Sequence, residues 1–148
     1  MRVLQCNLGR SVRAHDIAFA LASESEANLI VVIEPNKNLV TNQNQIIDKR
    51  TDIAVIPMSR NIGITSTESW EGFAKVSFGS WHLFACYISP NISLVDFKSS
   101  LDNLMNQIRA TNGESVFVGD FNAKSVLWGS PFTDKRGEYM GNWLAELN

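Results

Sequence analysis

Residues Leu29–Ile33, LIVVI, form an unbroken run of branched apolar side chains. Successive side chains on a strand point to opposite sides, so a strand of this composition has no solvent face and reads as buried on both. The fold must supply cover above and below it. The run ends in Glu34-Pro35. Proline prevents simple continuation of the strand. A carboxylate at the edge of a buried strand needs water, an ionic partner or a metal. Glu34 is either an exposed loop residue or part of a site.

A second constraint lies at Val116–Ser125, VFVGDFNAKS. Val116, Phe117 and Val118 read as a buried strand that stops at Gly119, where a residue without a Cβ lets the backbone turn or approach something closely. Asp120 and Asn122, with Phe121 between them, share a face of an extended backbone. A carboxylate can take a proton from water or hold a metal, and an amide can grip a phosphate oxygen. At a strand end the two look like part of a site for phosphate-ester cleavage. Asp and Asn are also ordinary turn residues that hydrogen-bond their own backbone, and both readings stand at this point.

The remaining chain supplies strands and helices around these two runs. Val3–Leu8 reads as a strand with Asn7 near its end. Ser11 caps a helix whose Val12, Ile17, Ala18 and Leu21 suit a face packed on a sheet. His15, inside it, reads as a surface or half-buried residue rather than a catalyst. Asn36–Arg50 reads as a polar loop whose Lys37, Lys49 and Arg50 could touch a phosphate backbone, although short basic clusters are usually solvated. Asp52–Pro57, Ile62–Thr67, Gly72–Phe78 and Trp81–Ile88 follow as short strands that suggest an antiparallel meander. His82 in the last of them reads as structural. Tyr87 is a hydroxyl donor close to that strand's end, and Asn91 follows the turn at Pro90. Ser93 with Asp96 resembles a capping box. It opens a helix with Phe97, Leu101, Leu104 and Ile108 as a core stripe, closed by Asn112-Gly113. After a polar turn at Thr133–Gly137, Tyr139, Trp143, Leu144 and Leu147 mark a last amphipathic segment.

The totals narrow the class. A chain of 148 residues with 45% hydrophobic content buries one good core and is expected to be one domain. No apolar run is long enough to span a bilayer. MRVLQCN lacks the apolar core of a signal segment. The expectation is an intracellular protein with no membrane partner. Cys6 and Cys86 sit in strand-like runs and read as reduced core residues. Asn91-Ile92-Ser93 fits the glycosylation pattern and is read as chance. A formal charge of −2, from 13 basic and 15 acidic residues, argues against a free-standing, tightly binding DNA module. It does not argue against an enzyme that gathers acidic groups around a cation.

Asn7, Glu34, Tyr87 with Asn91, and Asp120-x-Asn122 lie at successive strand ends in one order. Together they resemble the exonuclease–endonuclease–phosphatase superfamily, with its DNase I-like fold, and within it the apurinic-site endonucleases. GDFNAKS-x-LWGS, followed by Asp134-x-Arg136-Gly137, is similar to the endonuclease domain of insect-type non-LTR retrotransposons. LQCNLGRS and VVIEPN fit the same group. The resemblance implies an α/β fold of two packed, mostly antiparallel β-sheets flanked by helices, with the site at one edge of the sandwich. It implies that Glu34 binds the metal, Mg²⁺ or alternatively Mn²⁺, and that Asn7 completes or orients that site. Asp120 would orient or deprotonate the attacking water. Asn122 would hold the scissile phosphate, Tyr87 would donate to a phosphate oxygen, and Asn91 would assist substrate contact. The implied reaction is Mg²⁺-dependent phosphodiester hydrolysis. It would nick chromosomal DNA in the nucleus to prime a reverse transcriptase carried on the same polypeptide.

The family also carries a later Ser-Asp-His segment that this sequence does not reach. Residues 1–148 are therefore expected to be an N-terminal portion of the endonuclease domain, with the second sheet incomplete. The alternatives are a remnant without turnover, or a phosphoesterase of the same fold acting on a lipid or nucleotide.

Overall fold

The computed structural model describes residues 1–40 and 44–147. Part of the expected loop Asn36–Arg50, residues 41–43, therefore lies outside the described residues. The chain divides into two compact units.

The first unit comprises Met1–Tyr87 and Asn112–Asp120. Its elements are β1 (Val3–Asn7), α1 (Val12–Glu24), β2 (Leu29–Ile33), β3 (Ile46–Ile47), β4 (Ile53–Pro57), β5 (Ser66–Ser69), β6 (Phe73–Phe78), β7 (Trp81–Tyr87) and β8 (Glu114–Asp120). They make two four-stranded sheets, ordered β1-β2-β4-β3 and β5-β6-β7-β8. β1 pairs with β2, and β7 with β8, in parallel; every other pairing is antiparallel. The mostly antiparallel two-sheet α/β architecture is the expected one.

β2 is the strand that its composition requires. All of Leu29–Ile33 is buried. Leu29, Val31 and Ile33 pack with Ile53 and Val55 of β4 against Val76, Phe78, Leu83, Ala85 and Tyr87 of the second sheet. Ile30 and Val32 face the other way, into a cluster with Ala18 and Ala22 of α1. Alternation along one strand thus builds two core layers.

The helix face is where expectation and structure part. Ser11 caps α1 as expected, accepting from Ala14 N–H at 3.3 Å. Yet Val12, Ile17 and Leu21 are exposed, and the buried residues are His15, Ala18 and Ala22. Small side chains let the helix backbone approach the sheet closely, which larger residues on that face would prevent. The meander is also shorter than expected. β4 belongs to the first sheet, and only β5, β6 and β7 run in succession in the second. β5 covers Ser66–Ser69 rather than Ile62–Thr67, while Ile62 and Ile64 pack against the inter-sheet core without pairing as a strand. β8 does not stop at Gly119 but runs through it to Asp120. Gly119 pairs with Cys86 so closely that a Cβ there would sit 1.9 Å from the Cys86 carbonyl oxygen. The glycine is required by the approach of β7, not by a chain reversal. Cys6 and Cys86 are free cysteines.

The second unit comprises Ile88–Thr111 and Phe121–Asn148. It holds α2 (Leu94–Arg109), a 3₁₀ turn (Val126–Trp128) and α3 (Lys135–Leu147). The capping box forms: Ser93 Oγ accepts from Asp96 N–H at 3.1 Å and donates to Asp96 Oδ2 at 2.7 Å. α2 buries Phe97, Leu101, Leu104 and Met105, so Met105 replaces the expected Ile108 on the stripe. α3 starts at Lys135, inside the expected turn, and buries Met140 and Trp143 rather than Tyr139, Leu144 and Leu147. Trp143 Nε1 donates to the Leu101 carbonyl at 3.0 Å and fixes the helix pair. No helix of the described residues is long and apolar enough to cross a membrane.

Candidate active site

In the first unit, four strand ends meet. Asn7 closes β1 in register with Ile33, so the next residue of β2's chain, Glu34, leaves the sheet at the same end. Tyr87 closes β7 in register with Asp120, the last residue of β8. The two sheets are tied at this end by Tyr87 Oη, which donates to Glu34 Oε1 at 2.8 Å. A second tie runs from Gln5 Nε2 of β1 to the Gly119 carbonyl of β8 at 3.2 Å. Asn7, Glu34, Tyr87 and Asp120, separated by up to 113 residues in the chain, therefore share one rim.

The electrostatics of Tyr87 follow from its burial and then from the carboxylates around it. Burial first, then the hydrogen bond to Glu34 and the charges of Glu34, Asp52 and Asp120, push the Tyr87 phenol up to about 12. Each cause disfavours phenolate. Tyr87 thus remains a proton-bearing donor across the physiological range.

Sequence reasoning missed the frame that holds Glu34. Glu34, Arg10 and Thr51 all adopt left-handed backbone, with φ of 51°, 63° and 58°. Such conformations cost about 1–3 kcal/mol each and persist only where surroundings enforce them. Here Arg10 N–H donates to the Glu34 carbonyl and Glu34 N–H to the Asp52 carbonyl, both at 2.8 Å. The Arg10 guanidinium donates to the Pro35 and Thr51 carbonyls at 3.0 and 2.9 Å and pairs with the Asp52 carboxylate.

Beneath this lies Asp48, 3% exposed. Its Oδ1 accepts from Asp52 and Ile53 N–H at 2.7 and 2.9 Å, and its Oδ2 from Arg50 and Gly72 N–H, both at 3.1 Å. Gly72 in turn accepts from Tyr87 N–H at 2.8 Å. One buried carboxylate therefore fixes the backbone behind both Glu34 and Tyr87. No local pattern marks Asp48 or Asp52, whose partners include residues distant in sequence.

The donor set fits a hard divalent cation. Glu34 offers carboxylate oxygens and Asn7 an amide oxygen, although Asn7 Oδ1 also accepts from Gly9 N–H at 2.9 Å, as a turn residue does. Among the described residues no three His, Cys, Asp or Glu are grouped to hold a metal. Mg²⁺ is commonly held by one or two carboxylates plus water and substrate phosphate, oxygen donors of the type that Glu34 and Asn7 provide. Both histidines serve the scaffold, as expected. His15 is, however, buried rather than at the surface or half-buried. Burial pushes its pKa down, and Nε2 accepts from Asn36 N–H at 2.9 Å. His82 bridges Ser77 Oγ and the Asn112 carbonyl, each at 2.9 Å.

The other two expected residues belong to the second unit. Asn122 is in left-handed backbone, φ 47°, and Nδ2 donates to the Ile88 carbonyl at 3.0 Å. Asn91 is exposed in the loop before α2. That loop is fastened by Arg136, which donates to the Ser89 and Pro90 carbonyls at 3.0 and 3.1 Å and to that of Ile92, and stacks 5.0 Å over Phe97. The Asp-x-Arg-Gly signature thereby gains a physical reading. Asp134 Oδ1 accepts from Lys124 and Gly137 N–H at 3.2 and 2.7 Å. A Cβ at residue 137 would lie 1.8 Å from the Lys124 carbonyl oxygen, so glycine is needed there.

Residues 81–148 match the sequence model of a family described as endonuclease-reverse transcriptase. This stretch contains Tyr87, Asn91, Asp120 and Asn122; Asn7 and Glu34 lie before it. Among solved structures, the chain is similar to the endonuclease domain of TRAS1, a telomere-specific non-LTR retrotransposon. The TM-score is 0.74 at 21% identity, over 99% of this chain and 71% of that one. No curated protein matches the chain. The fold is DNase I-like, that of a non-LTR retrotransposon endonuclease domain, in agreement with the resemblance carried by GDFNAKS and LWGS.

Proposed function

We propose, from the premise that this chain joins a DNase I-like fold to the endonuclease-reverse transcriptase pattern of residues 81–148, that it is a divalent-cation-dependent phosphodiesterase that nicks DNA. The observation that carries the reading is the hydrogen bond between Tyr87 and Glu34, with Asp120 in register beside Tyr87. It brings two carboxylates and a proton-bearing donor to one rim, which supports the reading.

Asp120 orients the attacking water and takes its proton. Tyr87 carries a single hydroxyl hydrogen, spent on Glu34 in the free protein. On substrate binding it turns to a phosphate oxygen and donates where charge develops. That turn releases the Glu34 oxygen it occupied, and Glu34 with Asn7 would hold the cation. Mg²⁺, or Mn²⁺ in its place, supplies charge neutralisation at the phosphate. Asn122 is assigned the scissile phosphate, as an amide able to donate to a phosphate oxygen, and Asn91 a contact with the substrate strand. The nick leaves a 3′-hydroxyl that primes a reverse transcriptase on the same polypeptide, which places the reaction in the nucleus.

The test is nicking of supercoiled plasmid with Mg²⁺ or with chelator, for the wild type, Glu34→Ala and Asp120→Ala. The proposal expects nicking that chelator abolishes and that falls by at least about 10²-fold in each variant. Activity unaffected by both substitutions would remove the assigned roles.

A further inference from the structure

Four large apolar side chains stand exposed within residues 126–132: Val126, Leu127, Trp128 and Phe132, at 61, 78, 39 and 52%. Apolar groups gathered in water at this density mark an interaction surface. The loop that carries them is held from within. Ser125 Oγ accepts from Leu127 N–H at 3.2 Å, and Thr133 Oγ1 accepts from Val126 N–H at 3.2 Å. Ser130 N–H donates to the Ser125 carbonyl at 3.0 Å, and Trp128 Nε1 to the Ala123 carbonyl at 3.0 Å. The Trp128 indole therefore has a fixed edge. A surface ordered before its partner arrives loses less entropy on binding.

The charge around the loop selects the partner. Lys124 is exposed and lies 5.1 Å over the Phe132 ring, and Lys135 is exposed just beyond. The acid between them, Asp134, accepts backbone N–H groups through Oδ1. The segment thus presents cations beside apolar tips in a chain whose net charge is −2. It begins two residues after Asn122, to which the proposed reaction gives the scissile phosphate. Phosphate with stacked bases beside it is the polyanion that fits this pair of features.

We infer that residues 124–132 form a DNA-engaging loop in which Leu127, the most exposed tip, wedges against a base step of the duplex, backed by Trp128, while Lys124 contacts a phosphate. The inference rests on the proposed nuclease reading and adds a device that holds the duplex near the cut. Side chains of this kind unstack steps and kink duplexes in other binding modes.

The experiment uses the full chain and a duplex containing 2-aminopurine, in chelator so that no strand is cut. Wild-type binding is expected to raise the probe's fluorescence by unstacking it. Leu127→Ala should weaken binding about tenfold and abolish the rise. Lys124→Gln should leave the rise but lower the slope of log affinity against log salt by about one. Because Leu127 is exposed, its truncation leaves the fold intact, which circular dichroism checks. Wild-type affinity and fluorescence in Leu127→Ala would overturn the inference, as would failure of the wild type to bind. Concentration-dependent self-association lost in Leu127→Asp would assign the patch to a second copy of the chain and also overturn it. Loss of plasmid nicking with the fluorescence response intact would count against the catalytic reading alone. Nicking without a Leu127 effect would count against the wedge alone.

Discussion

Tyr87 Oη and Glu34 Oε1 lie 2.8 Å apart, and through them the last residue of β7 in one sheet meets the residue that follows β2 in the other. The phenol is the donor, so the contact exists only while Tyr87 keeps its proton. Tyr87→Phe should therefore leave the inter-sheet core in place and lower the nicking rate by about 10²-fold, as removal of one positioned donor does elsewhere. Steady-state kinetics on plasmid substrate, beside a thermal melt, separate the two effects.

The same phenol sets an alkaline limit on stability. Its pKa rises from 10.0 in the free side chain to about 12 in the fold. The folded state therefore holds the proton more tightly than the unfolded state. The stabilisation is complete below pH 10 and is lost as pH rises through about 12. Urea midpoints should fall across that window more steeply for the wild type than for Tyr87→Phe. Parallel curves would show that burial and the Glu34 contact do not raise the phenol as described.

Asp48 should be the costliest carboxylate to remove. Asp48→Ala strands the N–H groups of Arg50, Asp52, Ile53 and Gly72 and should destabilise by about 3 kcal/mol or more. Asp48→Asn keeps one acceptor oxygen and should cost less. Urea denaturation gives the stabilities. Mg²⁺ affinity of the folded fraction should fall as well, since Asp52 and Gly72 connect to Glu34 and Tyr87.

Arg10→Lys keeps the charge and loses the fork that reaches the Pro35 and Thr51 carbonyls. The left-handed backbone at Glu34 then has fewer restraints. Mg²⁺ affinity should drop about tenfold or more, as when other supports of ligating groups are removed. Isothermal titration measures it, and an unchanged affinity would make Arg10 a structural residue only.

How much of this was legible in sequence depended on how local the cause was. LIVVI needs cover on both faces wherever it sits, and Ser93 with Asp96 caps a helix within a few residues. Asn7, Glu34, Tyr87 and Asp120 each mark a strand end, so their places could be read one at a time and their gathering came from the resemblance. Of the packed face of α1, only Ala18 was legible. Hydrophobic size favours Ile17 and Leu21, whereas proximity to the sheet selects Ala18 and Ala22. The roles of Arg10 and Arg136 escaped notice because their partners are largely backbone carbonyls 25 to 47 residues away. Carbonyls carry no side-chain signature.

Calorimetric titration of Mg²⁺ into the wild type and Glu34→Gln most directly tests the claim that these strand ends hold a cation. The account predicts saturable binding in the wild type and its loss in Glu34→Gln, with both proteins melting alike. Equal binding in the two proteins, or none in the wild type, would contradict it.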